Sequence, residues 1–351
     1  MKTPFCSPSQ GKADHPARPH AAITSTHGTR RADLDFLKGI LIVLVVAFHL
    51  AYIGDTYPQV KQVVYAFHMP LFLVISGYLM NVSKPWKEFV MTLLGYAVPY
   101  LVMESGYIVM ASMLPIREHI DHLTVGVFLD RLFLHPLGPY WYLLTLIVCG
   151  TAYALVTRMA RLTTVSRLVL LCAICILLSM TGIVNIACTM YFLAGTVIRQ
   201  TGNRFEHVFR PTALAIVPFL ILAVGVPHPQ METLSGVLMT YLVASFSLSL
   251  YQHAGDGARR FVAYLGRKSM PIFLFSPIFT FPCRQLIPLF QFDPYGILFL
   301  LSSLIICISG SLAVDWLMSQ TGASRLFYVR RTRSHVAQPA QNVVEVGHDH
   351  E

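Results

Sequence analysis

Charge is what this sequence has least of. Asp, Glu, Lys and Arg make up only 12% of its 351 residues. A soluble globular chain carries about 25%, so a large water-exposed domain is excluded. Hydrophobic residues take the place of charge, at 55% of the chain with a mean hydropathy of +0.59, which is the composition of a polytopic membrane protein. Cysteine is sparse and without pattern. Of the seven, Cys149, Cys172, Cys175, Cys188 and Cys307 lie in apolar runs. The Cys172-x-x-Cys175 pair lacks a second pair and flanking histidines, so neither a disulfide framework nor a metal site is expected, and the thiols read as core packing. A cleavable leader is not expected either, because the first apolar run begins only near Gly39 and continues without a cleavage site. No internal repeat is visible, which counts against an inverted-repeat transporter. The net charge of +9 would suggest nucleic-acid binding in a soluble chain. In a membrane chain it reads as basic cytoplasmic loops, and no nucleic-acid partner is expected.

Apolar stretches of near-spanning length recur between short basic or Pro/Gly-containing loops. They fall at about 37–54, 63–81, 90–114, 139–157, 168–184, 186–199, 211–226, 233–251, 269–290 and 295–318, the boundary at 185 resting on little more than Asn185. The expected fold is therefore an all-α integral-membrane bundle of about ten transmembrane helices. With ten crossings, every Lys and Arg except Lys61, Arg117, Arg131 and Arg284 lies on the side of the N-terminus, which places both termini in the cytoplasm. Residues 1–35, rich in Pro, His, Ser, Thr and Ala, read as a disordered cytoplasmic tail. Residues 36–318 form the membrane domain and 319–351 a second tail. The histidines in the tails (His15, His20, His27, His335, His348, His350) have no metal-ligand spacing. The longest external connection, 115–138, carries Arg117, Glu118, His119, Asp121, His122, Asp130, Arg131 and His135, and leads into Gly138-Pro-Tyr-Trp141-Tyr142. Trp141 is either part of a site or part of an interfacial aromatic belt.

The most informative cluster is Asp35-Phe-Leu-Lys38-Gly-Ile, an apolar stretch, His49, then Phe67-His68-Met-Pro70-Leu-Phe and Ser76-Gly77-Tyr78. Lys38 and His49 are eleven positions apart, which on a helix brings them within about 20° of one face, three turns apart. Ionisable groups in a span are costly and by default functional. An imidazole suits a general base, whereas a packed interior histidine is the plainer alternative for His49. Lys38 either holds an anionic ligand or snorkels to the interface. Asp35, three residues before it, can orient Lys38, serve His49 through substrate, or complement the helix dipole. Met69-Pro70 is expected to loosen its helix, and Ser76-Gly77 to admit another helix closely. His68 is either interfacial or part of the site. No Gly-x-Ser-x-Gly surrounds Ser76, so packing is its better reading. Glu104 and Asp315 are intramembrane carboxylates, each a functional candidate or half of a buried pair.

On those blocks the chain resembles the acyltransferase-3 family of bacterial integral-membrane acyltransferases, over about residues 31–318. The branch it looks most like O-acetylates exopolysaccharides, O-antigens and fucosyl groups of signalling oligosaccharides. Weaker echoes are Trp141-Tyr142-Leu143, Tyr191-Phe-Leu-Ala-Gly195 and Leu265-Gly-Arg-Lys-Ser269. The resemblance implies transfer of an acyl group, acetyl first, from cytoplasmic acyl-CoA to a sugar hydroxyl. The acceptor would be an exopolysaccharide, O-antigen or lipid-linked oligosaccharide, in a bacterial inner membrane. It implies no bound cofactor, acetyl-CoA being a substrate. His49 and Asp35 would be catalytic and Lys38 donor-binding, with His68, Ser76, Tyr78, Glu104 and Trp141 as possible pocket residues. Where the family pattern most often has Arg, this chain has Lys38, which keeps the charge without bidentate geometry. Basic residues usual before the third span's Pro99 are largely absent, and Ser276 stands where a histidine is frequent. The alternative from another class is a secondary transporter or flippase for a glycolipid or polysaccharide precursor, with His49, Glu104 and Asp315 relaying protons.

Overall fold

A computed structural model describes residues 31–114 and 118–328. The described residues are helical, with no strand among them. In chain order the helices are α1 (Ala32–His49), α2 (Ala51–Thr56), α3 (Pro58–Leu79), α4 (Trp86–Met113), α5 (Val125–Phe133), α6 (Trp141–Thr157), α7 (Thr164–Met180) and α8 (Ile186–Gln200). They continue with α9 (Phe205–Val208), α10 (Ile216–Gly225), α11 (Leu234–His253), α12 (Asp256–Arg267), α13 (Ser269–Cys283), α14 (Ile297–Gln320) and α15 (Ala323–Phe327). Short 3-10 turns precede α10 and follow α13. Each apolar segment expected from sequence coincides with helix. Among the described residues, five stretches are long and apolar enough to cross a bilayer: Pro58–Leu79, Trp86–Met113, Leu234–His253, Ser269–Phe290 and Ile297–Gln320. Trp141–Thr157, Thr164–Met180 and Ala213–Gly225 are shorter apolar helices. α1 carries three charges in its first seven residues, Asp33, Asp35 and Lys38.

Several details differ from the sequence reading. α1 begins at Ala32, inside the expected tail, whose remainder up to residue 30 lies outside the described residues. The first apolar segment is two helices, broken at Leu50, whose backbone is extended (φ −71°, ψ 111°). Pro70 is accommodated inside an unbroken α3. The connection after α4 contains α5, opened by Thr124, whose hydroxyl accepts from Val127 N. The boundary at 185 is a helix N-cap: the Asn185 side chain accepts from Ala187 N at 2.7 Å. The Arg259–Lys268 stretch, expected as a basic loop, is mostly the amphipathic helix α12, which buries Ala263, Leu265 and Gly266. The second tail begins as helix, α14 reaching Gln320 and α15 following; residues from 329 on lie outside the described residues.

Glycines set the two closest helix approaches. At the α3–α8 crossing, a methyl on Gly195 would collide with the Val74 carbonyl, and one on Gly77 with that of Phe192. At the α1–α12 crossing, Gly39 faces the Val262 carbonyl and Gly266 the Asp35 carbonyl in the same way. Backbones meet this closely in apolar bundles because small residues remove the intervening side chains. These two contacts fix α1 and α3, the helices that carry the conspicuous sequence blocks.

Candidate active site

α1 ends at His49, whose Nδ1 stands 2.6 Å from the carbonyl oxygen of Val45. A carbonyl can only accept, so Nδ1 carries the proton, and in the neutral ring Nε2 keeps its lone pair. His68 repeats the arrangement on α3, with Nδ1 2.7 Å from Val64 O. Tyr65 bridges the two: its ring centroid is 6.0 Å from that of His49 and 5.1 Å from that of His68. Its hydroxyl donates to Phe48 O at 3.2 Å. Lys61 Nζ lies 5.7 Å from the Tyr65 centroid. Both histidines line a cavity of about 970 Å³, with Asp55, Lys61, Gln62, Trp141 and Glu232 among its polar and aromatic walls. His49 is exposed to that space, while His68 is buried at its edge. His49 also lines a second cavity of about 290 Å³, with Tyr52, Tyr107, Phe281 and Phe299 in its walls and Arg284 among its polar groups.

Lys38 opens onto a third cavity of about 300 Å³, which also holds Ser76, Asn81, Lys84 and Tyr142. Lys38 Nζ is 2.8 Å from Asp35 Oδ1, and the carboxylate side chain is only 5% exposed. Asp35 therefore points the ammonium, an i,i+3 pair along one helix. Across the cavity the Ser76 and Tyr142 hydroxyls are 2.7 Å apart. An adjoining cleft of about 510 Å³ shares Lys84, Thr92, Tyr96 and Met270 with it and adds Arg267. Lys38, Lys84 and Arg267 thus line two adjoining cavities. Phe273 of α13 lines the Lys38 cavity and both cavities at His49.

The structure brings His49, His68 and Trp141 to one cavity, and Lys38 and Ser76 to another, with Asp35 bound to Lys38 rather than lining His49's space. It leaves three candidates elsewhere. The Tyr78 ring packs on Phe205, centroids 5.3 Å apart, and its carbonyl accepts from Arg199 at 3.0 Å. Glu104 is buried and anchors the segment before α6, accepting from Leu137 N at 2.6 Å. Asp315 pairs with Lys268 Nζ at 2.7 Å. Sequence reasoning did not single out Tyr65, Lys84, Tyr142 or Phe273. Tyr65 was findable, since it precedes His68 by one helical turn and shares its face, and Tyr142 stands in the Trp141-Tyr142-Leu143 block. Phe273 carried no signal, because its place depends on how α13 packs.

A family model described as an acyltransferase domain matches residues 31–314. The nodulation protein NolL of Sinorhizobium fredii is 28% identical over 236 residues, which are 60% of this chain and 62% of that protein. The protein of the same name from Mesorhizobium japonicum is 47% identical over 72 residues, 18% of this chain and 19% of that one. The chain spans less than two thirds of the length of these curated relatives. No solved structure matches it. The matched region begins just before α1 and takes in Asp35, Lys38, His49 and every helix through most of α14, so the chain belongs to the acyltransferase-3 family.

Proposed function

We propose that this chain is an inner-membrane O-acyltransferase. It moves an acyl group, acetyl first, from cytoplasmic acyl-CoA to a sugar hydroxyl of an exopolysaccharide, O-antigen or lipid-linked oligosaccharide. In this reading the apolar helices make ten crossings and both termini are cytoplasmic. Lys38, Lys84 and Arg267 then face the side from which an anionic donor arrives. The phosphates of the donor rest near these cations while its flexible arm carries the thioester toward His49. There Nε2 of His49 takes the proton of the acceptor hydroxyl as its oxygen attacks the thioester carbonyl. The carbon–sulfur bond breaks, the new ester stays on the sugar, and the departing thiolate receives the proton from His49. Asp35 acts through Lys38, as its orienting partner. The larger cavity, with Gln62, Glu232 and Trp141, takes the sugar.

The observation that carries the proposal is His49, its Nδ1 on Val45 O, lining the larger cavity, with a cavity that holds Lys38 and Lys84 sharing Phe273 with it. The transporter reading needs His49, Glu104 and Asp315 on one path, and among the described residues none of the five cavities around these helices is lined by any two of them. Proton NMR of surface polysaccharide from cells carrying the wild-type gene, His49→Ala or no gene tests the proposal. It expects one acyl resonance to vanish in both mutants, with wild-type levels of inserted His49→Ala protein. Unchanged esters with an altered amount of polysaccharide would move the case to transport.

A further inference from the structure

Phe273 has an unusual position. Among the residues lining these spaces, it is common to the cavity of Lys38 and to both cavities of His49, and the Lys38 cavity shares no other lining residue with the two at His49. Its ring is packed edge-on against Tyr142 and Tyr140, with centroids 5.6 and 6.0 Å away. It is only 7% exposed, yet it borders empty volume in three cavities. The backbone of the unbroken helix has one hydrogen bond fewer at the same residue. Pro277 stands four positions later inside α13. Proline has no N–H to return to the carbonyl of residue i−4, and its ring crowds that carbonyl. The carbonyl left without its helical partner is that of Phe273. A second proline, Pro271, precedes it by two positions. Freed backbone groups within membrane helices recur where a helix lines a cavity.

We infer that Phe273 is a gate between the donor chamber and the acceptor chamber, set on a proline-weakened turn of α13. This rests on the acyltransferase reading above. Closed, the ring separates the thioester from the water-accessible space around His49. When it turns aside, the acyl end passes through and meets the acceptor hydroxyl. Closure matters because a thioester exposed beside a general base is open to water: water attacks the carbonyl, the carbon–sulfur bond breaks, and free carboxylate and thiol form. A gate that opens only for transfer suppresses that loss.

The test compares acyl-CoA consumption with ester formation in membrane vesicles containing the full chain, with and without acceptor polysaccharide. Phe273→Ala is expected to raise acceptor-independent hydrolysis several-fold while lowering the share of donor that reaches the sugar. Phe273→Trp, which keeps the chamber apolar and fills the passage, is expected to lower both reactions. Pro277→Ala, which restores the helical bond to the Phe273 carbonyl, is expected to slow transfer without raising hydrolysis. A wild-type ratio of hydrolysis to transfer in Phe273→Ala together with wild-type rates of both reactions in Phe273→Trp, with His49→Ala inactive, would overturn the gate and leave the acyltransferase reading standing. If wild-type protein consumes no acyl-CoA under any condition, both fall together.

Discussion

Gly266→Ala tests how the α1–α12 contact holds Lys38 in place. A Cβ at Gly266 would overlap the Asp35 carbonyl oxygen and lie 2.7 Å from Asp35 C and 2.8 Å from Gly39 N. All three are backbone atoms of α1, so no side chain can turn away to make room. Restoring ordinary contact distances needs the helices to part by roughly 1 Å. Overpacking of this kind costs about 1–3 kcal/mol, enough to lower the melting temperature in detergent by several degrees. The shift also moves Asp35 and the Lys38 ammonium bound to it, and a misplacement of about 1 Å can cost up to about a hundredfold in rate. Gly106→Ala is the control. Gly106 lies inside α4, nothing stands within 4 Å of a Cβ there, and alanine is favoured over glycine in a helix by about 1 kcal/mol. Thermal melts and acyl-transfer rates on the two purified variants should therefore move in opposite directions from wild type in stability, with only Gly266→Ala losing activity. Equal melting temperatures and equal rates in both variants would refute the reasoning.

Lys38→Gln should raise KM for acyl-CoA by about tenfold, the loss of one charge-assisted contact, with kcat little changed; a drop in kcat at constant KM would place Lys38 in the chemistry instead. Glu104→Leu strips the buried Leu137 N–H of its acceptor and should destabilise by about 1–3 kcal/mol, whereas Glu104→Gln, which keeps an acceptor oxygen, should melt near wild type. Lys268→Met leaves Asp315, 3% exposed, without its cation. It should cost about 2 kcal/mol, less than a fully buried pair because Lys268 is partly solvated. Adding Asp315→Leu should recover most of that in a thermal melt, and failure to recover would mean that Asp315 has a role beyond the pair.

What was legible in the sequence was what lies along single helices. The Asp35–Lys38 pair is an i,i+3 relation and the Lys38–His49 stripe a multiple of the helical turn, so both follow from spacing. The small residues Ser76-Gly77 announced a close helix, and Gly195 is the partner the structure supplies. α12 reads as a basic loop because Arg259, Arg260 and Arg267, with Lys268 just beyond it, stand out in its sequence, while its buried face is only Ala263, Leu265 and Gly266. The break at Leu50 has no glycine or proline to mark it. Glu104 with Leu137 and Lys268 with Asp315 are separated by 33 and 47 positions, and such pairings follow only from how helices pack. The same is true of Phe273, which becomes conspicuous only when three cavities are seen to meet at its ring.

The measurement that bears most directly on the central claim is label transfer from radiolabelled acetyl-CoA to polysaccharide in inside-out membrane vesicles carrying wild type, His49→Ala or His49→Gln. The account predicts label in the polysaccharide with wild type and background levels with both variants at equal protein content, because neither alanine nor glutamine supplies a base where Nε2 stands. Wild-type rates of labelling by His49→Ala would contradict it.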